Sequence, residues 1–404
     1  MPQIIELEEY RTCCLPADQL PEPVGRRIWE LYSDKITVEP PTFQTEHQWR
    51  LRSEGWVGNV PVDENIHILI HPKVELGNLF KMLEYAYKVP FLSDGNLVNA
   101  DSLQDFYERL AKILALQVLD RSRKGFYREY SARSNRLPYL RGRLALESMV
   151  ALPWETELDC RYHENTSDID DNRIPAWTLF CVACSGLCSG DTLQLTRRAF
   201  RSIQGAARLK TFSGNDCEER LYSRLNGDYK PMHALCRFFL DHSGPSHAKG
   251  DRNMLPFLID MSRLYETFVA EWLREHLPPE ILLKDQAILQ LGKEHKIQFR
   301  MDLVLLDRHT QAPLCILDTK YKTPRSPNSD DIQQVIAYAK ALGCQEAGLV
   351  YPQKLEKPFY DTVGGDINVG SATFGLDGDI EDRGQVFLKG LKKRIQSGSI
   401  HSED

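Results

Sequence analysis

The feature that most constrains the fold of this chain is a pair of short apolar segments near its C-terminal end, joined by a polar connection. The segments, at 297–306 and 314–321, have the length and composition of strands, and the connection between them has the composition of a hairpin loop. If the hairpin is symmetric about Thr310, Asp302 faces Asp318, with about 5 Å between their Cβ atoms.

Two carboxylates that face each other need a partner. Like charges in this position destabilise a sheet, and both strands are too apolar to form a solvated edge. A divalent cation would resolve the conflict, because hard cations take carboxylate oxygens and keep waters for a substrate phosphate. We therefore expect Mg²⁺ at Asp302 and Asp318. Lys320 lies on the same strand face as Asp318 and is placed to act on a water or a phosphate. The alternatives are a surface ion pair and a one-residue slip of the register.

The helices that flank the hairpin offer two more candidate residues. Glu266 lies on the apolar face of a helix predicted over 257–277, where a carboxyl group needs a partner, and the metal is one candidate. A salt-bridged or solvent-reaching glutamate is the alternative. Gln334 lies in a helix predicted over 330–342, where its amide is placed to hold the Asp-x-Lys side chains or a phosphate. A hydrogen-bonded polar group of the helix is the alternative there.

This order of elements resembles the PD-(D/E)XK nuclease superfamily. Within that superfamily the sequence resembles the McrC family, the nuclease subunits of McrBC-type modification-dependent restriction systems. The similar segments run from about residue 55 onward: Ile70-His-Pro-Lys73, Met82-Leu-Glu-Tyr-Ala, Leu137-Pro-Tyr-Leu-Arg-Gly-Arg143, Cys160-Arg-Tyr-His-Glu-Asn-Thr, FLIDMSRLYETFVAEWL, ILDTKYK, Asp331-Ile-Gln-Gln334-Val-Ile-Ala-Tyr-Ala and Gly348-Leu-Val-Tyr-Pro352.

The resemblance implies a Mg²⁺-dependent endonuclease that cuts DNA, with Asp302, Asp318 and Lys320 as the residues that match the catalytic motif. Met301 stands where the superfamily pattern has proline, and position 318 has Asp where many members have Glu. Neither difference changes the ligand chemistry.

The resemblance also implies a partner, an McrB-like AAA+ GTPase ring that residues 1–95 would engage. The chain has no Gly-x-x-x-x-Gly-Lys-[Ser/Thr] motif, so we expect no nucleotide site of its own. The alternative function is a non-catalytic adaptor that binds and stimulates the GTPase. The intact pair of aspartates argues against that alternative, because a scaffold has no reason to set two acids face to face.

The length of 404 residues predicts two or three domains. We expect an α/β multi-domain protein, with an N-terminal mixed α+β module over 1–95, a mainly helical middle domain over 96–250 and a restriction-endonuclease-like α/β domain over 251–404. A polar segment with Gly and Pro, from His242 to Arg252, is the predicted linker. No apolar run reaches the length of a membrane span and the N-terminus is acidic, so a cytoplasmic protein is expected.

The pattern of apolar residues predicts further elements within these domains. Strands are expected at 57–62, 67–74 and 346–351, and helices at 76–87, 103–114, 173–188, 191–204 and 230–241.

A basic segment at 121–143 is concealed by the net charge of −7. It holds one acid, Glu129, interleaved aromatic residues, and eight cations: Arg121, Arg123, Lys124, Arg128, Arg133, Arg136, Arg141 and Arg143. We expect these cations to contact DNA phosphates, with little sequence preference. The alternatives are a solvated helix face and a surface that docks on an acidic patch of the partner.

Two further patterns, one of cysteines and one of histidines, favour a structural role over metal binding. Cys181, Cys184 and Cys188 fall on one helix stripe without a clear fourth ligand, so we interpret them as core residues and not as a metal cluster. His67 and His71 fall in a predicted strand, where four residues span about 13 Å, too far for one metal ion.

Overall fold

The computed structural model describes residues 3–63, 66–88, 102–144, 156–218, 220–242, 256–291, 297–322 and 324–399. The chain divides into two compact units, one formed by Met1–Leu103 with Phe257–Asp404 and the other by Gln104–Pro256. The N-terminal and C-terminal segments therefore lie in one unit. The predicted linker, from residue 243 onward, lies outside the described residues.

The elements of the described residues, in chain order, are β1 (Gln3–Glu8), β2 (Thr12–Pro16), α1 (Glu22–Tyr32), β3 (Ile36–Glu39), β4 (Gln48–Ser53), β5 (Trp56–Pro61), β6 (Ile66–His71), α2 (Leu76–Tyr87), α3 (Leu103–Lys124), β7 (Glu129–Leu137), β8 (Arg143–Leu144), β9 (Leu158–Thr166), α4 (Asp170–Cys184), α5 (Gly190–Gln204), a 3₁₀ turn (Gly214–Cys217), α6 (Tyr229–His242), β10 (Phe257–Asp260), α7 (Met261–His276), β11 (Ile281–Leu291), β12 (Ile297–Asp307), β13 (Pro313–Thr319), α8 (Ser329–Leu342), β14 (Glu346–Tyr351), β15 (Tyr360–Val363), β16 (Ile367–Thr373) and α9 (Ile380–Ser399).

The N-terminal part of the first unit is built on two sheets, with strand orders β1-β6-β5-β10 and β2-β4-β3. In β1, Ile5 and Leu7 alternate with more exposed residues and enter a core that they share with β6. The strands expected at 57–62 and 67–74 are confirmed as β5 and β6, although β6 ends at His71. The helix expected at 76–87 is confirmed as α2.

The helix predicted over 257–277 begins later than expected. Its first four residues form β10, which pairs antiparallel with β5, and α7 follows at Met261. The apolar triplet Phe-Leu-Ile suits a buried strand as well as a helix face, so periodicity alone does not separate the two. Asp260 sets the start of the helix, because its carboxylate accepts hydrogen bonds from two backbone amides of the first turn.

A six-stranded mixed sheet forms the C-terminal part of the first unit, in the order β11-β12-β13-β14-β16-β15. Strands β13, β14 and β16 are parallel, so their carboxyl ends lie along one edge. The expected strands and helix at 297–306, 314–321, 346–351 and 330–342 are confirmed to within a few residues as β12, β13, β14 and α8. The pattern of apolar residues did not predict β11, β15, β16 and α9. Lys284, Asp285 and Gln286 interrupt the apolar pattern of β11, which explains why it was missed.

The second unit contains α3 to α6 and a three-stranded antiparallel sheet, β7-β9-β8. The helices expected at 103–114, 173–188, 191–204 and 230–241 are confirmed as α3, α4, α5 and α6, with shifted ends. The description of this region as mainly helical omitted the sheet. Most residues of β7 are exposed, so the strand lacks the apolar alternation from which it could be recognised. Within the described ranges, no helix combines the length and the apolar character needed to cross a membrane.

The cysteines are not all on one helix stripe as predicted, because α4 ends at Cys184 and Cys188 lies beyond it. Cys181 and Cys188 are 5% and 6% exposed, and burial raises the pKa of each thiol to about 12. Both observations favour core residues. His67 and His71 lie in β6.

Candidate active site

The two aspartates that the sequence sets face to face lie at the open end of the β12–β13 ladder. Leu303 pairs with Leu317, and the next two pairs toward the turn keep the same register. One step in the other direction therefore brings Asp302 opposite Asp318. The turn itself is not symmetric, because the register shifts after Leu305. The register predicted for the aspartates is nevertheless confirmed.

Asp302 is held in a defined orientation. Its Oδ2 accepts hydrogen bonds from the backbone amide of Thr319, at 2.8 Å, and from the Thr319 hydroxyl, at 3.0 Å. On the other side of Asp302, the β11–β12 ladder is interrupted at Gln286, which has a φ of 48°. A left-handed backbone at a residue other than glycine is strained, and such strain is concentrated at functional sites.

Asp318 is buried beside a lysine. Its side chain is 3% exposed, and its Oδ2 lies 2.7 Å from the Lys320 Nζ. The partner of this buried oxygen is therefore the Lys320 ammonium, in a close and charge-assisted contact. Burial and the neighbouring Asp302 raise the pKa of Asp318 to about 6, against the lowering effect of Lys320.

Lys320 lies just past the end of β13, where its backbone amide donates to the carbonyl of Val350 at 2.8 Å. Burial lowers the pKa of its ammonium group, but the nearby carboxylates of Asp318, Asp331 and Asp302 outweigh burial. The pKa lies above its ordinary value as a result, so Lys320 is charged at neutral pH.

Glu266 belongs to the same electrostatic cluster. It is half-buried on α7, beside the buried Val269 and Ala270. Burial and the carboxylates of Asp302 and Asp318 together raise the pKa of Glu266 to about 7, against the lowering effect of Arg300. The charge of Asp302 thus contributes to the raised pKa of both Glu266 and Asp318, so the three acids lie within electrostatic reach of one another.

Helix α8 contributes the predicted Gln334 and one residue that sequence reasoning missed. The Oε1 of Gln334 accepts a hydrogen bond from the Lys320 Nζ at 3.2 Å, and its Nε2 donates to the hydroxyl of Tyr338 at 2.7 Å. Asp331, 8% exposed, lies 3.7 Å from the Lys320 Nζ and 2.5 Å from the Lys322 Nζ. Its position three residues before Gln334, on the same helix face, was the available signal.

The acids could hold a hard cation, although not through a ready-made set of three ligands. Among the residues that the structure describes, no three His, Cys, Asp or Glu side chains are arranged to bind a metal ion. Mg²⁺ is commonly held by one or two carboxylates with waters and substrate phosphates. Two facing aspartates, one of them buried and with a raised pKa, fit that mode of binding.

The basic segment 121–143 lies in the second unit, from the end of α3 through β7 to the start of β8. Five of its eight cations have an acidic partner, in the ion pairs Arg121–Asp228 at 3.2 Å, Lys124–Asp120 at 2.6 Å, Arg133–Glu164 at 3.6 Å, Arg136–Asp159 at 3.1 Å and Arg141–Glu164 at 3.4 Å. Arg128 donates to the backbone carbonyl of Asn165. Arg123 and Arg143 are exposed and have no acidic partner within the described part of the chain.

Much of the charge of this segment is therefore compensated by acids that are distant in sequence, mainly on β9. Two of the interleaved aromatic residues are well exposed, Tyr130 at 73% and Tyr139 at 58%. Contact between this segment and DNA stays a prediction. The catalytic roles of the predicted site residues also stay predictions; these residues are Asp302, Asp318, Lys320, Glu266 and Gln334.

Comparison with known proteins shows the class to which the chain belongs. A family model described as "McrBC 5-methylcytosine restriction system component" matches residues 51–352, about three quarters of the chain. The protein is thus a component of a restriction system. Within that class, the chain belongs to the McrBC family, and the predicted likeness to its McrC subunits is confirmed.

Two individual comparisons agree with this assignment. The type IV methyl-directed restriction enzyme EcoKMcrBC of Escherichia coli K12 is 23% identical over 223 residues, which are 51% of this chain. The match spans 60% of the length of that relative. A chain of the refined half-complex of Thermococcus gammatolerans McrB AAA+ hexamers with bound McrC is 17% identical, with a TM-score of 0.58 over 97% of this chain and 100% of that one. This likeness establishes a shared fold.

Proposed function

We propose that this chain is the DNA-cutting subunit of a GTP-dependent, modification-dependent restriction complex. It would hydrolyse phosphodiester bonds with Mg²⁺, in a C-terminal domain of the PD-(D/E)XK type. The single observation that carries the proposal is the geometry of Asp302, Asp318 and Lys320. Two acids face each other at the end of a strand pair, and a charged lysine lies 2.7 Å from one of them.

The cation would be held by Asp302 and Asp318, with Glu266 as a third ligand. When bound, Mg²⁺ would supply an activated water and offset the charge of the phosphate. The raised pKa values of Glu266 and Asp318 support this role, because burial and the nearby Asp302 carboxylate disfavour their charged forms, and a cation would offset both effects.

The remaining residues act on the substrate and on each other. The Lys320 ammonium stabilises the negative charge that develops on the phosphate in the transition state. Gln334 accepts a hydrogen bond from that ammonium and limits its orientations, while Thr319 fixes the Asp302 carboxylate. Lys322, paired with Asp331, adds positive charge at the edge of the site.

We also propose that the chain works with an McrB-like AAA+ GTPase ring. The structural relative from T. gammatolerans comes from McrB AAA+ hexamers with bound McrC, and its fold matches nearly the whole chain. Residues 1–95 would engage the ring. The basic segment would contact DNA, chiefly through Arg123 and Arg143, which are exposed and form no close ion pair with an acid within the described residues.

The test compares cleavage with GTPase stimulation in the complete complex. Asp318→Ala and Lys320→Ala chains, assembled with the partner, GTP and Mg²⁺, are given plasmid DNA that contains 5-methylcytosine. We expect both variants to lose cleavage while they still assemble and stimulate GTP hydrolysis. Asp361→Ala, which removes an exposed acid from β15 of the same sheet, is the matched control and should cut normally. Cleavage at the wild-type rate by the Asp318 variant would contradict the proposal.

The alternative is the non-catalytic adaptor, and one observation favours it: no three described acids form a ready-made metal site. In that case the wild-type chain would stimulate the GTPase, but the complex would cut neither methylated nor unmethylated plasmid.

A further inference from the structure

A buried glutamate from the N-terminal sheet reaches the segment that carries Lys320. Glu9, directly after β1, is fully buried, and its backbone amide donates to the carbonyl of His71 at 3.0 Å. Its Oε2 accepts hydrogen bonds from the Tyr321 hydroxyl, at 3.2 Å, and from the backbone amide of Lys73, at 3.3 Å. Burying a carboxyl group is costly, so a glutamate at this position calls for an explanation.

Tyr321 is the direct neighbour of Lys320. Its side chain is 7% exposed, packs against the ring of Tyr265 and ends at Glu9. Tyr321 is the centre of a tight turn, since the backbone amide of Lys322 donates to the Lys320 carbonyl at 2.8 Å, and anchoring its side chain at Glu9 therefore fixes the backbone that leads directly out of Lys320.

Tyr10 holds the same residue through the backbone. Its hydroxyl donates to the Tyr321 carbonyl at 3.2 Å, and Tyr10 itself has a strained φ of 61°. A Cβ atom at Gly55 would lie 2.6 Å from the Tyr10 hydroxyl, so this glycine leaves room for the contact. The Lys73 ammonium lies 4.4 Å from the centre of the Tyr10 ring, a cation–π contact that also holds Tyr10.

We propose that Glu9, Tyr10 and Tyr321 are positioning residues for Lys320, so that the N-terminal sheet completes the cleavage site in the C-terminal sheet. The C-terminal part of the unit contacts the Lys320–Lys322 segment through the Val350 carbonyl, Asp318, Gln334 and Asp331. The N-terminal part contacts it through the hydrogen bonds that Glu9 and Tyr10 form with Tyr321. This inference rests on the proposed nuclease function, and it assigns that function to both parts of the unit.

The test is Tyr321→Phe, which removes one hydroxyl and keeps the ring. Tyr85→Phe is the matched control, because the Tyr85 hydroxyl also donates to a glutamate, Glu381, in the same unit but is not part of the Lys320 segment. Both variants are assembled with the GTPase partner, GTP, Mg²⁺ and a plasmid containing 5-methylcytosine. Single-turnover cleavage at saturating DNA, the DNA dissociation constant with Ca²⁺ in place of Mg²⁺, and the melting temperature are measured.

We expect Tyr321→Phe to lower the cleavage rate by about tenfold, because small displacements of a reacting group are costly. Its DNA affinity and its melting temperature should stay close to those of Tyr85→Phe, which should cut at the wild-type rate. Glu9→Gln, which keeps the shape of the side chain, should reduce the rate in the same direction without changing DNA affinity.

A wild-type rate for Tyr321→Phe, or an equal loss of rate in Tyr85→Phe, would overturn the inference. If the wild-type complex cuts, Asp318→Ala does not and Tyr321→Phe cuts normally, only the positioning role fails. If Asp318→Ala cuts normally or the wild-type complex does not cut, the nuclease proposal fails, and the positioning role fails with it.

Discussion

The acidic cluster around Asp318 and the basic segment 121–143 were both predicted from charge, but the charges of the two regions have different surroundings in the structure. The acidic cluster takes its members from α7, β12, β13 and α8, elements that are separated in sequence, and brings them within electrostatic reach of Asp318. The basic segment is dense in sequence, but most of its cations lie beside acids.

The difference shows what makes a charge pattern informative. Residues buried with like charges cannot relax, so their pKa values shift and the arrangement needs a cation or another partner. Exposed cations on a strand find acids on the next strand, and such ion pairs contribute only about 0–1 kcal/mol each. The spacing of residues along the chain is therefore a better guide to a buried acidic cluster than a count of charges is to an exposed basic surface.

The first way to sharpen the comparison is to remove the amide that contacts Lys320. Gln334→Ala should reduce cleavage by about tenfold, in the range seen when an outer-shell partner of a site is lost. Gln333→Ala, which changes the exposed neighbouring residue on α8, is the control and should have no effect. Single-turnover cleavage by the complete complex is the measurement. Equal rates for the two variants would remove Gln334 from the site.

The second prediction tests whether ion pairing reduces the contribution of the basic segment to DNA binding. Replacing Arg123 and Arg143 with alanine should lower the slope of log affinity against log salt by about two, one for each lost phosphate contact. The same change at Arg133 and Arg136, which are paired with Glu164 and Asp159, should have a smaller effect. Fluorescence anisotropy of labelled duplex DNA, with Ca²⁺ in place of Mg²⁺, gives both slopes. The account of the segment is wrong if the paired arginines matter as much as the unpaired ones.

The smallest expected effect is on stability and concerns Glu266. Its pKa is raised to about 7 in the folded chain from an ordinary 4.5, so the folded state binds the proton more tightly and loses stability as the pH rises between these values. Without divalent cations, Glu266→Gln should therefore melt about 2–4 °C above the wild type at pH 8, and this difference should shrink toward pH 5. Thermal unfolding at the two pH values decides the point, and a pH-independent difference would contradict the raised pKa that burial and Asp302 give Glu266.

The sequence predicted the C-terminal elements that carry the candidate site, α7, β12, β13, α8 and β14, because the apolar segments there are long and their spacing is distinct. The register of Asp302 and Asp318 was predicted from the assumption of a symmetric turn. The turn side of the ladder pairs Leu306 with Pro313, one residue off that symmetry, and the irregularity after Leu305 adds the residue that restores the predicted register. Strand β11 escaped prediction because charged residues interrupt it. The strand at 257–260 was taken for a helix because three apolar residues have no period of their own.

What the sequence did not reveal depends on contacts between distant segments. Asp331 became a candidate only when α8 was seen to place it beside Lys320 and Lys322. The same holds for Glu9, which is 312 residues from Tyr321 along the chain. The acids of β9 that pair with the basic segment are likewise invisible until β7 and β9 are aligned.

The most direct measurement of the central claim, that facing aspartates hold a divalent cation, is calorimetric titration of the chain with Mn²⁺ as a Mg²⁺ substitute. The wild type should bind the ion at one site. Asp318→Asn, which keeps the size of the side chain and removes its charge, should weaken binding by more than about tenfold. Asp361→Asn, on the exposed β15 of the same sheet, should bind as the wild type does. Equal binding by wild type and Asp318→Asn would contradict the account.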